Sequence, residues 1–290
     1  MRDVLLPGSI EELWSYMDDR PGASMFAGGT DLLVKMYNGM VDYEALICLE
    51  RIEELKEVRE HEGSIRIGAC ATHSQLIGEP LVRKWLPALW KAVREIGSPP
   101  VRNMGTIGGN ICTASPAADT LPPLYAMKAE VELLSRQGAR RAPIAEFIRG
   151  PGATGLQKAE ILSAVWVTKP ARFNLHHFEK VGLRSALACS VVSLAALVRL
   201  TPGGVVEEAS LAWGSVAPTV FTCQEAERAL AGRPMCGASL SEAADIVRRF
   251  VSPISDVRAD GDYRRLVAGN LLLRLLDKKD EGRGGENDGS

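Results

Sequence analysis

The sequence lacks the features that would mark a membrane, secreted or nucleic-acid-binding protein. Its 290 residues contain no apolar run near the roughly 20 residues that a bilayer-spanning helix needs. Lysine and arginine number 34 against 36 aspartates and glutamates, so no excess of positive charge favours a nucleic-acid partner. The start, MRDVLLPGSIEELW, has no hydrophobic core of a secretory signal. We therefore expect a cytoplasmic protein with no membrane span and no nucleic-acid partner.

The motifs of nucleophilic and metal-dependent catalysis are also missing. There is no G-x-S-x-G nucleophile elbow and no H-E-x-x-H zinc motif. His176 and His177 are adjacent, so in a strand their side chains point to opposite faces. No catalytic residue and no metal ligand is therefore predicted, and any redox chemistry must belong to a cofactor.

Cysteine is sparse and has no C-x-x-C or iron–sulfur spacing. The six cysteines are Cys48, Cys70, Cys112, Cys189, Cys223 and Cys236. We interpret them as reduced thiols, most of which pack as small apolar side chains.

Two glycine-rich stretches are the prominent features that the sequence does contain. AGGTDLL at residues 27 to 33 and TIGGNICTASPAADTLPPLYA at residues 106 to 126 each place two adjacent glycines before a small polar residue. Without Cβ atoms in the way, bare backbone N–H groups can close on an anion. A pyrophosphate needs donors from more than one turn. Together the two stretches predict a phosphate-binding site.

The second stretch adds polar side chains to this site. Hydroxyl and amide partners are offered by Thr106, Asn110, Thr113 and Ser115. Asp119 is suited to hold a ribose hydroxyl or a ring N–H. The stretch is rich in glycine, proline and polar residues, so we do not expect it to form a core element.

The first stretch is predicted to join a strand to a helix. ASMFA reads as a short strand leading into the glycine pair, and Thr30 can cap a helix that turns Leu32, Leu33 and Met36 inward. An ordinary strand–turn–helix corner without a ligand is the alternative.

The segments between the two stretches are predicted as a strand and a helix. SIRIGACAT alternates as a strand that ends at Thr72 and His73. A histidine at a strand end is often only a surface or capping residue, and that alternative stays open. LPALWKAVREIG is amphipathic and is stopped by Gly97 and the pair Pro99-Pro100.

A third glycine motif, GPGATG at residues 150 to 155, matches G-x-G-x-x-G but lacks its context. A proline lies inside it, and the following QKAEILSAVWV predicts a strand, so no helix N-terminus faces a phosphate. From about residue 173 the pattern changes to long strands joined by a TPGG turn, followed by three helices.

In order along the chain, AGGTDLL, GACATHSQL at residues 68 to 76 and TIGGNICTASPAAD at residues 106 to 119 resemble the FAD-binding medium subunits of molybdenum hydroxylases. The likeness is greatest to the xanthine dehydrogenase FAD subunit and extends to the carbon monoxide dehydrogenase medium subunit. It implies an α+β fold. We expect a PCMH-type FAD-binding domain of the vanillyl-alcohol oxidase type at residues 1–172, with subdomains of about 1–57 and 58–172. A small α+β C-terminal domain of the carbon monoxide dehydrogenase flavoprotein type should follow at 173–278. The polar tail at 279–290 is expected to be disordered.

The resemblance also implies non-covalent FAD and the residues that hold it. The pyrophosphate and ribityl chain would lie on Met25, Phe26, Ala27, Gly28, Gly29, Thr30, Asp31, Leu32 and Leu33, and on Thr106, Gly108, Gly109 and Asn110. Thr72, His73, Ile96 and Leu162 would lie beside the flavin, with Asp119 at a polar edge. Lys180 would reach the ring and favour its reduced, anionic form. A solvated strand residue is the alternative for Lys180.

The activity that the resemblance implies is that of an oxidoreductase subunit. It would take electrons from a small [2Fe–2S] subunit and pass them through FAD to NAD⁺ or another acceptor, beside a large molybdopterin subunit. SALACSV lacks the acid that many relatives carry at this point, so the acceptor stays open. Two alternatives remain: a free-standing flavin oxidase of the same fold, or a non-catalytic nucleotide-binding scaffold.

Overall fold

The first unit, in a computed structural model that describes residues 3 to 278, is a three-stranded parallel sheet with two helices. Its elements are β1 (Asp3–Leu5), α1 (Ile10–Asp19), β2 (Ser24–Phe26), α2 (Leu32–Tyr37) and β3 (Ala45–Cys48). The strand order is β1-β3-β2. Ser9 caps α1 by accepting a hydrogen bond from the N–H of Glu12 at 3.1 Å, and Leu13 and Ile47 belong to the same buried apolar cluster. The predicted tail at 279–290 lies outside the described residues.

Helix α2 differs from its prediction. It begins at Leu32 with Asp31 at the N-cap rather than Thr30, and none of its residues is buried. Leu33, predicted to face inward, is 46% exposed. Six residues make fewer than two helical turns, which is too short for a continuous apolar stripe. The helix therefore lies on the surface.

The second unit is a five-stranded antiparallel sheet of order β4-β5-β10-β6-β7, with a two-stranded ribbon of β8 and β9 and a layer of short helices. Its elements are β4 (Val58–His61), β5 (Ser64–Gly68), α3 (His73–Gly78), α4 (Pro80–Trp85), α5 (Pro87–Arg94), α6 (Pro99–Met104), α7 (Ile107–Thr113), α8 (Leu121–Ala126), β6 (Glu130–Ser135), β7 (Gly138–Pro143), α9 (Ile144–Phe147), β8 (Ile148–Gly150), β9 (Ala153–Thr154) and β10 (Ile161–Thr168). Ile65 and Ile67 are fully buried, as the alternation of that strand predicts.

In this unit one boundary was predicted wrongly and one helix start was not predicted. Strand β5 ends at Gly68, and Thr72 is instead the N-cap of α3, where its hydroxyl and the Gln75 side chain form a capping box. His73 is thus the first residue of a helix. The pair Pro99-Pro100 follows the end of α5 as predicted but also starts α6, because proline fits the first helical turn without losing a hydrogen bond.

The second glycine-rich stretch was also mispredicted as too polar for the core. It forms α7 and α8, and every residue of α8 is buried. Two adjacent prolines are tolerated there because they lie in the first turn. Gly108 lets α7 approach β5 closely, since a Cβ at this position would lie 2.6 Å from the Cβ of Ala69.

The third unit is a four-stranded antiparallel sheet of order β11-β12-β13-β14 followed by helices. Its elements are β11 (Leu175–Val181), β12 (Val192–Leu200), β13 (Val206–Gly214), β14 (Phe221–Thr222), α10 (Gln224–Leu230), α11 (Gly237–Phe250) and α12 (Gly261–Leu273). One sheet face contributes Phe178 and Leu197 to the core of the second unit, and the other packs on its own helices. Between residues 3 and 278, no helix has both the length and the apolar character to cross a membrane.

Candidate functional site

One cleft of about 410 Å³ collects most of the predicted site residues. It lies between the turn that follows β2 and the first turns of α3 and α7. From the first stretch it is lined by Met25, Phe26, Ala27, Gly28, Gly29, Thr30, Asp31 and Leu32, and from later segments by His73, Ile96, Thr106, Gly109, Asn110 and Thr113. The two glycine-rich stretches therefore face each other across a single cleft.

Direct contacts fix the two stretches relative to each other. The Thr113 hydroxyl donates a hydrogen bond to Asp31 Oδ2 at 3.2 Å, so a side chain from each stretch meets inside the cleft. Gly28 is packed so closely that a Cβ there would lie 1.7 Å from the carbonyl oxygen of Met104. Only glycine allows this approach.

The first turn has backbone donors that the protein does not use. Gly29 has φ of +69°, a left-handed conformation that favours glycine. In the part of the chain that the structure describes, none of the N–H groups of residues 28 to 32 donates a hydrogen bond, whereas the N–H of Leu33 donates to Gly29 O at 3.0 Å. Unpaired backbone donors beside a cleft are a suitable binding site for an anion.

The N–H groups around the glycine pair of the second stretch, at residues 107 to 109, are already paired, contrary to the prediction. Ile107 donates to Ala71 O at 3.0 Å and Gly108 to Ala69 O at 2.8 Å. The N–H of Gly109 donates to Thr106 Oγ1 at 3.1 Å, because Thr106 caps α7. The second stretch can therefore offer side chains and the exposed Gly109, but no free backbone donor at residues 107 to 109.

His73 places an uncharged ring at the wall of the cleft. It is 3% exposed, and its N–H donates to Gly105 O at 2.9 Å. Burial, helped by the nearby Arg102 guanidinium, lowers the pKa of His73 to about 4. Its Nδ1 atom is buried without a hydrogen-bond partner among the described residues. The imidazole is thus neutral at pH 7 and retains an unused polar atom.

The remaining predicted residues lie outside the cleft. Thr72 lines a neighbouring cavity with Gly28 and Thr106, and Gly108 is buried. Leu33 is on the surface, and Leu162 is buried in β10. The Ser115 hydroxyl accepts from the N–H of Ala117 at 3.3 Å. Asp119 and Lys180 lie apart, at the junction of the second and third units.

At this junction Asp119 and Lys180 form a buried ion pair. Lys180 Nζ donates to Asp119 Oδ2 at 2.7 Å, to Glu95 O at 2.6 Å and to Ala188 O at 3.1 Å, so all three of its N–H bonds are used. Ser190 donates to the other Asp119 oxygen at 2.6 Å. Burial raises the pKa of the Asp119 carboxyl, an effect that Lys180 and Ser190 oppose.

Five residues of the cleft were not predicted from the sequence. They are Lys35, Val101, Gly105, Cys112 and Gly152. Lys35 could have been found from its position one helical turn after Asp31. Gly152 belongs to GPGATG, which forms the turn between β8 and β9 with no helix after it, so it is not a dinucleotide motif. Gly152 nevertheless lines the cleft. Burial raises the pKa of Cys112 to about 12, so it stays a thiol.

Comparison with known proteins identifies the family to which this geometry belongs. The model of the FAD-binding domain in molybdopterin dehydrogenase matches residues 1–170, more than half of the chain, and that of the CO dehydrogenase flavoprotein C-terminal domain matches residues 177–278. The chain belongs to the FAD-binding medium subunits of molybdenum hydroxylases. Its first and second units therefore carry an FAD-binding domain.

Similarity to individual members extends along almost the entire chain. The chain is 33% identical to a putative xanthine dehydrogenase FAD-binding subunit of Escherichia coli K12, with 96% of each chain covered. It is 30% identical to the nicotinate dehydrogenase FAD-subunit of Eubacterium barkeri, with 99% of each covered. Among solved structures, a carbon monoxide dehydrogenase chain of Hydrogenophaga pseudoflava matches with a TM-score of 0.90 and 30% identity, over 97% of this chain and 98% of that one.

These comparisons confirm the predicted resemblance, the α+β fold, the dependence on FAD and the oxidoreductase class. The roles of individual side chains toward FAD and the domain boundaries stay predictions.

Proposed function

We propose that this chain is the electron-transfer subunit of a multi-subunit molybdenum hydroxylase and holds FAD non-covalently in the cleft. The observation that carries the proposal is the run of unpaired N–H groups at residues 28 to 32, in a cleft that Asn110 and Thr113 also line. An anion such as the FAD pyrophosphate accepts hydrogen bonds from donors of this kind.

The proposed contacts follow from which atoms are free. The first turn holds the pyrophosphate. Thr30, Asn110 and Thr113 supply polar side chains, and Gly109 lines the same cleft. His73 offers a neutral hydrogen-bonding group. Asp119 and Lys180 already hydrogen-bond within the protein. Lys180 can therefore contact the flavin only if a ring oxygen replaces one of its three present acceptors.

The electron path needs other subunits. The sequence has no iron–sulfur motif, and relatives are described as FAD-binding subunits or medium chains. We propose that a small [2Fe–2S] subunit delivers electrons from a large molybdopterin subunit, in the cytoplasm, with NAD⁺ or another acceptor as the final oxidant. FAD, when bound, supplies the exchange between one-electron and two-electron transfer. Residues 1–172 and 173–278 are the proposed domains.

The full-length chain, expressed with a purification tag, tests the proposal. We expect it to co-purify with a molybdenum subunit and an iron–sulfur subunit, to show flavin absorbance, and to release FAD into the supernatant after acid precipitation. Failure to bind FAD after reconstitution would exclude the assignment. A yellow precipitate, together with turnover by the isolated chain, would instead indicate a covalent flavin oxidase. Bound FAD that no electron donor reduces and no acceptor reoxidises would indicate a scaffold.

A further inference from the structure

Lys35 is the cation that shares the cleft with the unpaired donors of the first turn. Among the described residues that line the cleft, it is the only lysine or arginine, and the neutral His73 adds no charge at pH 7. Its Nζ lies 2.7 Å from Asp31 Oδ2, and its side chain is 38% exposed. A half-exposed lysine on a flexible four-carbon stem can change its partner without being extracted from a core.

The charge balance of the cleft indicates what this lysine does. A pyrophosphate ester brings two negative charges to a wall that already carries the Asp31 carboxylate, and backbone N–H groups supply only partial positive charge. Asp31 also accepts a hydrogen bond from Thr113, so it keeps a partner if Lys35 moves away.

We propose that Lys35 is a phosphate-binding residue of the FAD site, which exchanges the Asp31 carboxylate for a pyrophosphate oxygen when the nucleotide binds. The proposal rests on the assignment of this cleft to FAD and adds the residue that neutralises the ligand. A lysine suits this role because its ammonium is a compact charge with three donors.

Binding of ADP and of riboflavin to the full-length apoprotein separates this role from a structural one. ADP contains the pyrophosphate without the flavin, and riboflavin contains the flavin without phosphate. We expect Lys35→Met to weaken ADP and FAD binding about tenfold, as removal of one partly exposed charge-assisted contact should, and to leave riboflavin binding unchanged. The slope of log Kd against log salt concentration for ADP should also become shallower.

Two further variants complete the test. Lys35→Arg keeps the charge and should retain most of the ADP affinity. Lys84→Met removes an exposed charge that lies over the Trp85 ring, away from the cleft, and should leave all three affinities unchanged. If Lys35→Met weakens ADP and riboflavin binding equally, or weakens neither, the proposal for Lys35 is wrong. The assignment of the cleft to FAD would still stand if the wild-type chain binds FAD. A wild-type chain that binds no FAD would overturn the assignment of the site itself.

The Asp31→Asn background separates a phosphate contact from simple neutralisation of Asp31. If Lys35 contacts the phosphate, Lys35→Met should still weaken ADP binding severalfold when Asp31 carries no charge. Full recovery of ADP affinity in the double variant would show that Lys35 serves only Asp31, and the proposal would then be wrong.

Discussion

At the scale of single residues, Gly28 and His73 determine much of the cleft. Gly28 brings the first turn against the end of α6, and His73 contributes a buried neutral ring from the start of α3. Both features depend on what surrounds the residue. Each leads to a measurable prediction.

Replacement of Gly28 by alanine should displace the first turn. The new Cβ would lie 1.7 Å from a backbone oxygen of Met104, which cannot move aside as a flexible side chain can. We expect a loss of about 2 kcal/mol or more in the free energy of unfolding, and a large loss of FAD affinity. Gly22→Ala is the matched control, since no atom lies within 4 Å of its added Cβ. Equal melting temperatures and FAD affinities for the two variants would contradict the close approach of Gly28 to Met104.

His73 should make stability fall as the pH is lowered. Its pKa in the folded protein, about 4, is below the roughly 6.5 expected in the unfolded chain. Between these values the unfolded chain binds more protons, so stability is complete above pH 6.5 and decreases toward pH 4.

The shift amounts to about 3 kcal/mol of unfolding free energy. We therefore expect the free energy of unfolding, measured with denaturant, to fall between pH 7 and pH 4 by about 3 kcal/mol more for the wild type than for His73→Gln. Parallel curves for wild type and His73→Gln would show that the ring is not held neutral.

At the scale of elements, the sequence predicted which helices and strands exist better than where they begin and end. Local alternation was sufficient for β5, since Ile65 and Ile67 point to one buried face. It failed for the stretch after residue 106, because glycine and proline were read as loop residues. Their actual roles, close packing of Gly108 on Ala69 and proline in a first helical turn, depend on neighbours that a single sequence does not reveal. For the same reason the pairing of the Gly108 N–H with Ala69 O could not be predicted, whereas the pairing of the Gly109 N–H with Thr106 is a local helix cap.

The cap of α7 is the element-scale prediction. Thr106 is 5% exposed and accepts from the N–H of Gly109 at 3.1 Å. Thr106→Val keeps the side-chain shape but removes the acceptor, so it should lower the free energy of unfolding by about 1 kcal/mol. Thr106→Ser keeps the hydroxyl, so its free energy of unfolding should fall much less. If urea unfolding gave the same value for both variants, the cap would not stabilise α7.

At the scale of the whole molecule, the three units share cores rather than pack as independent bodies. Phe178 and Leu197 of the third unit belong to the same apolar cluster as Ile67 and Leu124 of the second. The ion pair of Asp119 and Lys180 lies across this boundary, with side chains 8% and 7% exposed. Sequence resemblance selected both residues, but it could not show that each is the partner of the other.

Lys180→Met should therefore destabilise the molecule far more than loss of a surface pair. It leaves the Asp119 carboxylate buried without its cation, which costs about 3 kcal/mol of unfolding free energy. Arg136→Met, which breaks a pair with Asp18 whose side chains are 56% and 71% exposed, should cost less than about 1 kcal/mol.

The double variant Asp119→Asn/Lys180→Met should recover part of the loss, because no uncompensated charge remains at the boundary. Urea unfolding monitored by tryptophan fluorescence gives all of these values. A Lys180→Met variant no less stable than Arg136→Met would mean that water reaches Asp119. The boundary would then be held by its apolar contacts alone.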